Sequence, residues 1–417
     1  MSELIIHGPS KLEGELTIHG AKNSTLPLMA ASLLCSGQCI LHNCPNLSDV
    51  DTSLNILRHL GCTAERCGTD VVIDPQGVKN YEIPDSLMRE MRSSIIFLGA
   101  IVSRMGRAKL SLPGGCELGP RPIDLHLSAL RKMGVLINED HGFLECSVPD
   151  GIRAAAINLS FPSVGATENI IIAACVSKGT TIIVNAAREP EICDLANFLN
   201  ACGAKIRGAG ESTVVIEGVK KLTGCEHTVI PDRIAAATFL TAAAVTGSTL
   251  TLNGIIPQHL EPVLPSFEEC GCRFDISEHK MKIISPNRLG RIKSVRTMPY
   301  PGFPTDAQAP VMAMTTLSDG TSIFVETIFE SRYKHVGELL RLGANIKVEG
   351  RVAVVEGVPS LSGAPVEAAD LRGGAALVVA GLAAQGITQI SGLKHLDRGY
   401  ESIEKSLAVL GANVKRI

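Results

Sequence analysis

One pattern recurs six times along the chain and limits the fold more than any other feature. Six segments open on a glycine, run through an apolar strand and a loop, and end in an amphipathic helix followed by glycine. They begin at Gly37 (GQCILHNC), Gly106 (GRAKLSLP), Gly179 (GTTIIVNA), Gly247 (GSTLTLNG), Gly320 (GTSIFVET) and Gly386 (GITQISGL). The period is roughly 70 residues, which marks one structural unit copied along the chain. The glycine after each helix suits a left-handed C-cap, which a β-carbon disfavours.

The rest of each unit repeats as well. A strand and turn recur in LIIHGPSKLEG, TVVIEGVKKLTG and VAVVEGVPSLSG, and more weakly in VVIDPQGV, LECSVPDGI and KIISPNRLG. An apolar, Ala-rich helix follows each, starting near Ala21, Met91, Gly165, Asp232, Asp306 and Asp370. A helix without a polar face belongs in the interior, whereas helices such as LNILRHL and VGELLRL belong outside. Six equal units suggest two domains of three. The last unit ends at ANVKRI and lacks the partner strand that RVAVVEG supplies in the fifth. The N-terminal ELIIHG has the pattern to fill that place. The expected division is therefore 21–229 for one domain and 1–20 plus 230–417 for the other, with a cleft between them as the natural ligand site.

Composition narrows the class. The net charge is −3 and no Lys/Arg run stands out, which argues against a nucleic-acid groove. With no Trp and 3% aromatics, a chain that is 45% hydrophobic must build its core from Ala, Ile, Leu and Val. The longest apolar runs, Ala235–Thr246 and Gly373–Ala384, fall short of the roughly 18 residues of a membrane span. MSELIIHG shows no basic head and apolar stretch of a signal peptide. The 13 cysteines are irregularly spaced, with no CxxC and no Cys/His zinc spacing, so a reduced, cytosolic setting without metal or cofactor is expected. Cys35, Cys62, Cys175, Cys202, Cys270 and Cys272 read as small apolar residues.

Charge is kept at the entrances of the apolar helices. Their first turns carry Lys22 and Asn23, Arg92, Ser163 and Gly165, Asp232 and Arg233, Asp306, and Arg372. Helix N-termini offer unpaired N–H groups and partial positive charge, and Lys22, Arg92 and Arg372 add to it. Ordinary capping accounts for any one of these sites. Basic residues recurring across several of the six units point instead to a strongly anionic ligand, one carrying phosphate.

One loop breaks the symmetry. The first, third and fourth units run 24 positions from opening glycine to capping glycine (37 to 61, 179 to 203, 247 to 271), but the second runs 28 (106 to 134). The extra residues fall in PGGCELG, which carries Cys116 beside glycine and five residues before Arg121. Long loops that break a pattern more often serve function than packing. A nearby cation lowers a thiol pKa, which suits Cys116 to act as nucleophile or general acid.

GAKN, the PGGC…G-RP-D loop, SVGATEN, PYPGFPTDAQ, ESR and LDRGYE resemble the UDP-N-acetylglucosamine 1-carboxyvinyltransferases, an enolpyruvyl transferase family that opens peptidoglycan synthesis. The likeness runs from about residue 5 to the end. It implies a two-domain inside-out α/β barrel, six βαβαββ-type repeats, three per domain, with buried parallel helices. It implies phosphoenolpyruvate and UDP-N-acetylglucosamine as substrates, no metal and no cofactor, and roles in cell shape and division. Cys116 would be the general acid for C3 of phosphoenolpyruvate, open to covalent bonding and to fosfomycin-type epoxides. Asp306 would take the sugar hydroxyl proton. Lys22, Arg121 and Arg398 would hold the phosphate, with Arg332 and Arg372 around the carboxylate. Asn23, Arg92, Arg121, Pro122, Ile123, Asp124, Leu125, Ser163, Val164, Gly165, Asp306 and Ile328 would contact the UDP-sugar. Phe161 and Pro162 depart from the family, which often has a lysine just before SVGAT. Two rivals stay open: a 3-phosphoshikimate 1-carboxyvinyltransferase, which would lack the cysteine loop, and a non-catalytic UDP-sugar-binding paralogue.

Overall fold

A computed structural model describes residues 2–112 and 123–417, and of Arg92 the backbone alone. Cys116, Arg121 and Pro122 lie outside the described residues. The chain divides into two compact units. One holds 2–19 and Pro231–Ile417, the other the described residues from Gly20 to Ile230. Each has its own apolar core.

Among the described residues there are six four-stranded sheets of one design. An edge strand lies parallel to the second strand, and the remaining pairs are antiparallel. In the fifth unit, Ser294–Arg296 is parallel to Thr321–Val325, which pairs with Val352–Glu356 and through it with Asn345–Glu349. In the sixth, Leu4–Gly8 occupies the place of Val352–Glu356, between Gly386–Ser391 and Asn413–Arg416. The N-terminal strand thus completes the last sheet with the backbone donors and acceptors that the chain's end does not provide. Glu226–Thr228 likewise returns to lie parallel to Cys39–His42, so the other unit closes on its first sheet.

The helices beneath the sheets are buried nearly all round. Every residue of Lys22–Ser32 is buried but Asn23, and Arg233–Ala244 is buried without a break. Hydroxyls in these helices satisfy themselves locally. Thr25, Ser32, Thr238 and Thr241 each donate to a carbonyl four residues back, at 2.7–3.0 Å. The second unit departs from the pattern. Its inner helix opens as a tight 3₁₀ turn, Arg92–Ile96, before Phe97–Met105, because Met91 is extended after the short helix Asp85–Glu90. Cys35 is buried, as a small apolar residue would be. It lies beyond the inner helix, bridged to Leu222.

The six glycines that end the outer helices, Gly61, Gly134, Gly203, Gly271, Gly343 and Gly411, all have φ between 92° and 107°. Beside Gly343 nothing lies within 4 Å of the position a β-carbon would take. Gly343→Ala is therefore expected to cost about 1–2 kcal/mol through backbone strain alone, and Gly343→Asn less. Urea unfolding midpoints check this. Equal midpoints for Ala and wild type would remove the C-cap explanation.

Candidate active site

In the unit containing Pro231–Ile417, charge gathers at the entrances of three buried helices, Arg233–Val245, Thr305–Thr315 and Leu371–Ala383. Asp306, the second residue of its helix, accepts from Arg332 Nη2 at 3.0 Å on one oxygen and from Arg372 Nη2 at 2.9 Å on the other. Both arginines are almost fully buried, while the carboxylate keeps 29% of its surface open. Burial works against the charge of Arg372, but Asp306 and Tyr400 outweigh it and hold the guanidinium above its usual pKa. Two guanidiniums thus converge on one partly open carboxylate. The Nε atoms of Arg332 and Arg372 are buried without a partner among the described residues.

The surroundings fix these arginines in place. Asp370 caps its helix by accepting from the N–H groups of Arg372 and Gly373, each at 3.0 Å. Arg372 Nη1 donates to the Tyr400 hydroxyl at 3.2 Å, and that hydroxyl bonds Thr238 Oγ1 at 2.8 Å. With the Asp306–Arg372 pair, these bonds join the first turns of Thr305–Thr315 and Leu371–Ala383 to the second turn of Arg233–Val245. Arg332 also donates to the Thr305 carbonyl at 2.8 Å. Ile328 is placed by Glu326, which accepts from the N–H groups of Ile328 (2.8 Å) and Phe329 (3.0 Å) and from Thr305 Oγ1 (3.0 Å). Arg398 closes the turn Leu396–Arg398, packed on the helix Leu371–Ala383.

The other unit carries the second group. Lys22 opens its helix and meets Asp49 Oδ2 at 3.2 Å, with both side chains buried. Asn23 beside it is half-exposed. Ser163 caps Val164–Ala174 and accepts from Ala166 N–H at 3.4 Å. Gly165 leaves room for His126, since a β-carbon there would stand 3.0 Å from the ring. Asn169, one turn on, accepts from Gly99 N–H (2.8 Å) and donates to the Ile95 carbonyl (3.0 Å) and to His126 Nδ1 (2.8 Å). That donation places the ring proton on Nε2, facing Gly165. Ile123, Asp124 and Leu125 start the helix Asp124–Lys132, which packs on Val164–Ala174, and Asp124 is exposed.

The structure thus brings together Asp306, Arg332 and Arg372 in one unit, and Ser163 and Gly165 with the start of Asp124–Lys132 in the other. Several supporting residues escaped the sequence reading. Asp49 looks like a routine acidic residue in a helix's first turn. Glu326 carries no pattern of its own, and Tyr400 lies in the LDRGYE motif without a role read for it. Asn169 had a signal, as the one amide side chain within an otherwise apolar buried helix stretch, NIIIAA.

Burial lowers the pKa of His126 to about 4. The unfolded chain then takes up a proton between about pH 6.5 and 4 that the folded chain refuses, so stability falls as pH falls through that window. The expected loss from His126 is at most about 3 kcal/mol. His335 in the other unit, also lowered to about 4 by burial, adds to it. His126→Asn should flatten the pH dependence of the melting temperature across this window. An unchanged slope would show that His126 is charged in the folded chain.

A model of the EPSP synthase (3-phosphoshikimate 1-carboxyvinyltransferase) family matches residues 6–407. The chain is 51% identical over 419 residues to a UDP-N-acetylglucosamine 1-carboxyvinyltransferase 2 of Caldanaerobacter subterraneus subsp. tengcongensis, covering all of both. It is 49% identical to a UDP-N-acetylglucosamine 1-carboxyvinyltransferase 1 of Symbiobacterium thermophilum, covering 99% of this chain and 95% of that one. Among solved structures it matches the enolpyruvyl transferase NikO from Streptomyces tendae, with TM-score 0.90, 26% identity and coverage of 100% and 98%. An EPSP synthase from Acinetobacter baumannii, at 17% identity and TM-score 0.76 over 100% and 99%, shares the fold. Six repeats around buried helices, with their charges at the helix entrances, are therefore the inside-out α/β fold of the enolpyruvyl transferases, and the chain belongs to the EPSP synthase family.

Proposed function

We infer that this transferase moves the enolpyruvyl group of phosphoenolpyruvate to the 3′-hydroxyl of UDP-N-acetylglucosamine and releases phosphate, at the start of peptidoglycan synthesis in the cytoplasm. The observation that carries the reading is the partly open Asp306 carboxylate held between Arg332 and Arg372. Kinship at 51% identity over the whole chain points to the acceptor.

The chemistry follows from charge. The acceptor oxygen attacks C2 of phosphoenolpyruvate while a proton is added at C3, giving a tetrahedral intermediate. Phosphate then leaves C2 and C3 loses a proton, which restores the double bond. Asp306 sits at a helix N-terminus beside two guanidiniums, all of which favour its anion and make it a weak base. It orients the hydroxyl and accepts the proton late, once C2–O bonding has made that proton acidic. Arg332 and Arg372 face the donor's carboxylate, and Lys22, Arg121 and Arg398 its phosphate. Only a dense basic cluster offsets the desolvation of such an anion. Cys116 supplies the proton to C3. Asn23, Arg92, the 121–125 run, Ser163, Val164, Gly165 and Ile328 hold the UDP-sugar.

Replacing the general acid should separate its role from packing. Cys116→Ala is expected to lower turnover by about 10²-fold or more with little change in melting temperature. Cys116→Asp should retain turnover, because a carboxylic acid also donates a proton, and should resist alkylation by fosfomycin. Rapid fosfomycin inactivation of that variant would contradict the assignment. Asp306→Asn should lower kcat by about 10²–10⁴-fold while KM for phosphoenolpyruvate changes far less. An unchanged kcat would remove Asp306 from the reaction.

A further inference from the structure

Four cysteines that no spacing rule connects meet in the unit containing Gly20–Ile230. Cys35 lies just beyond the inner helix Lys22–Ser32, and Cys39 opens the strand Cys39–His42. Cys202 caps the outer helix Pro190–Ala201, and Cys225 directly precedes the strand Glu226–Thr228. The sulfurs of Cys35, Cys39 and Cys202 all lie within 4.8 Å of one another, and all three residues are fully buried. Cys225 Sγ is 3.3 Å from Cys202 Sγ. Among the described residues this is the one cluster of three or more potential metal-ligating groups. The other buried cysteines, such as Cys62 and Cys175, join no such group and serve as small apolar residues.

The spacing fits a cation. Four sulfurs about 2.3 Å from a zinc ion at tetrahedral angles stand about 3.8 Å apart. The sulfurs of Cys35, Cys39 and Cys202 need only a modest contraction to reach that spacing, and Cys225, held beside Cys202 at 3.3 Å, has to turn toward the other two to complete the site. Positive charge is close, because Arg104 Nη1 donates to the Cys35 carbonyl at 3.1 Å.

We propose that Cys35, Cys39, Cys202 and Cys225 form a closed, structural binding site for one zinc(II) ion. Four Zn–S bonds form, each of the four thiols gives up its proton to solvent, and nothing is oxidised or reduced. With all four positions taken by sulfur the site has no catalytic opening. It fastens the far end of the helix that begins at Lys22 to the strand Cys39–His42 and to the outer helix Pro190–Ala201. This proposal stands independently of the reaction assigned above.

The test uses the full chain carrying Cys116→Ser, which removes the loop thiol as a competing ligand. The protein is reduced, stripped with a chelator and titrated with zinc against a chromophoric competitor, then with cobalt(II). One equivalent of zinc is expected, with a dissociation constant of about 10 nM or lower, together with the sulfur-to-cobalt charge-transfer band of a tetrahedral thiolate site. Cys39→Ser with Cys202→Ser should abolish both. Should that pair fail to fold, Cys225→Ser, at the half-buried position, should weaken zinc about a hundredfold or more. Absence of binding below micromolar zinc, or an unchanged cobalt spectrum in the variants, overturns the proposal. So does a Cys202–Cys225 disulfide in the protein as isolated, if reduction then yields no zinc binding.

Discussion

A helix buried on every side can present charge only at its ends. That constraint organises the whole molecule. Each unit surrounds apolar helices with four-stranded sheets, so side chains along the helices are mostly aliphatic, and the polar ones bond their own backbone, as Thr25, Ser32, Thr238 and Thr241 do, or a neighbouring element, as Asn169 does. Much of the remaining charge gathers at the opening turns. There the unpaired N–H groups and the helix dipole favour anions, and Lys22 and Arg372 strengthen the effect. Asp306 between Arg332 and Arg372 is the clearest result. Removing the carboxylate would leave two buried guanidiniums facing each other, which costs far more than the pair's own attraction is worth. The same geometry keeps a substrate-sized anion attractive to the site.

Much of this was legible in one dimension. The glycine caps could be read because a positive φ is a property of a single residue's backbone. The place of ELIIHG could be read from what the last unit lacks, since an unpaired sheet position is costly to leave open. Asp306 and Arg372 stood out as charges at the mouths of apolar helices. Arg332 did not, because nothing in the run around it marks a buried guanidinium, and it entered through resemblance.

Residues that matter through their partners stayed hidden. Lys22 meets Asp49, and Asn169 joins Ile95, Gly99 and His126, across stretches that no local period links. The four clustered cysteines are the sharpest case. Cys35 and Cys202 read as small apolar residues, Cys39 and Cys225 carried no signal, and only the closing of the Gly20–Ile230 unit on its first sheet brings Cys225 to Cys202. The 3₁₀ opening at Arg92–Ile96 was hidden for a different reason, since it depends on the extended Met91 left by the preceding short helix.

The fold is common to differently named enzymes, an enolpyruvyl transferase NikO at TM-score 0.90 and an EPSP synthase at 0.76. Function must therefore rest on the residues at the helix entrances and on the acceptor they select. The most direct measurement is phosphate release from phosphoenolpyruvate with either UDP-N-acetylglucosamine or shikimate 3-phosphate as acceptor. Release with the UDP-sugar and none with shikimate 3-phosphate is the predicted result. Release with shikimate 3-phosphate, or with neither, would contradict it.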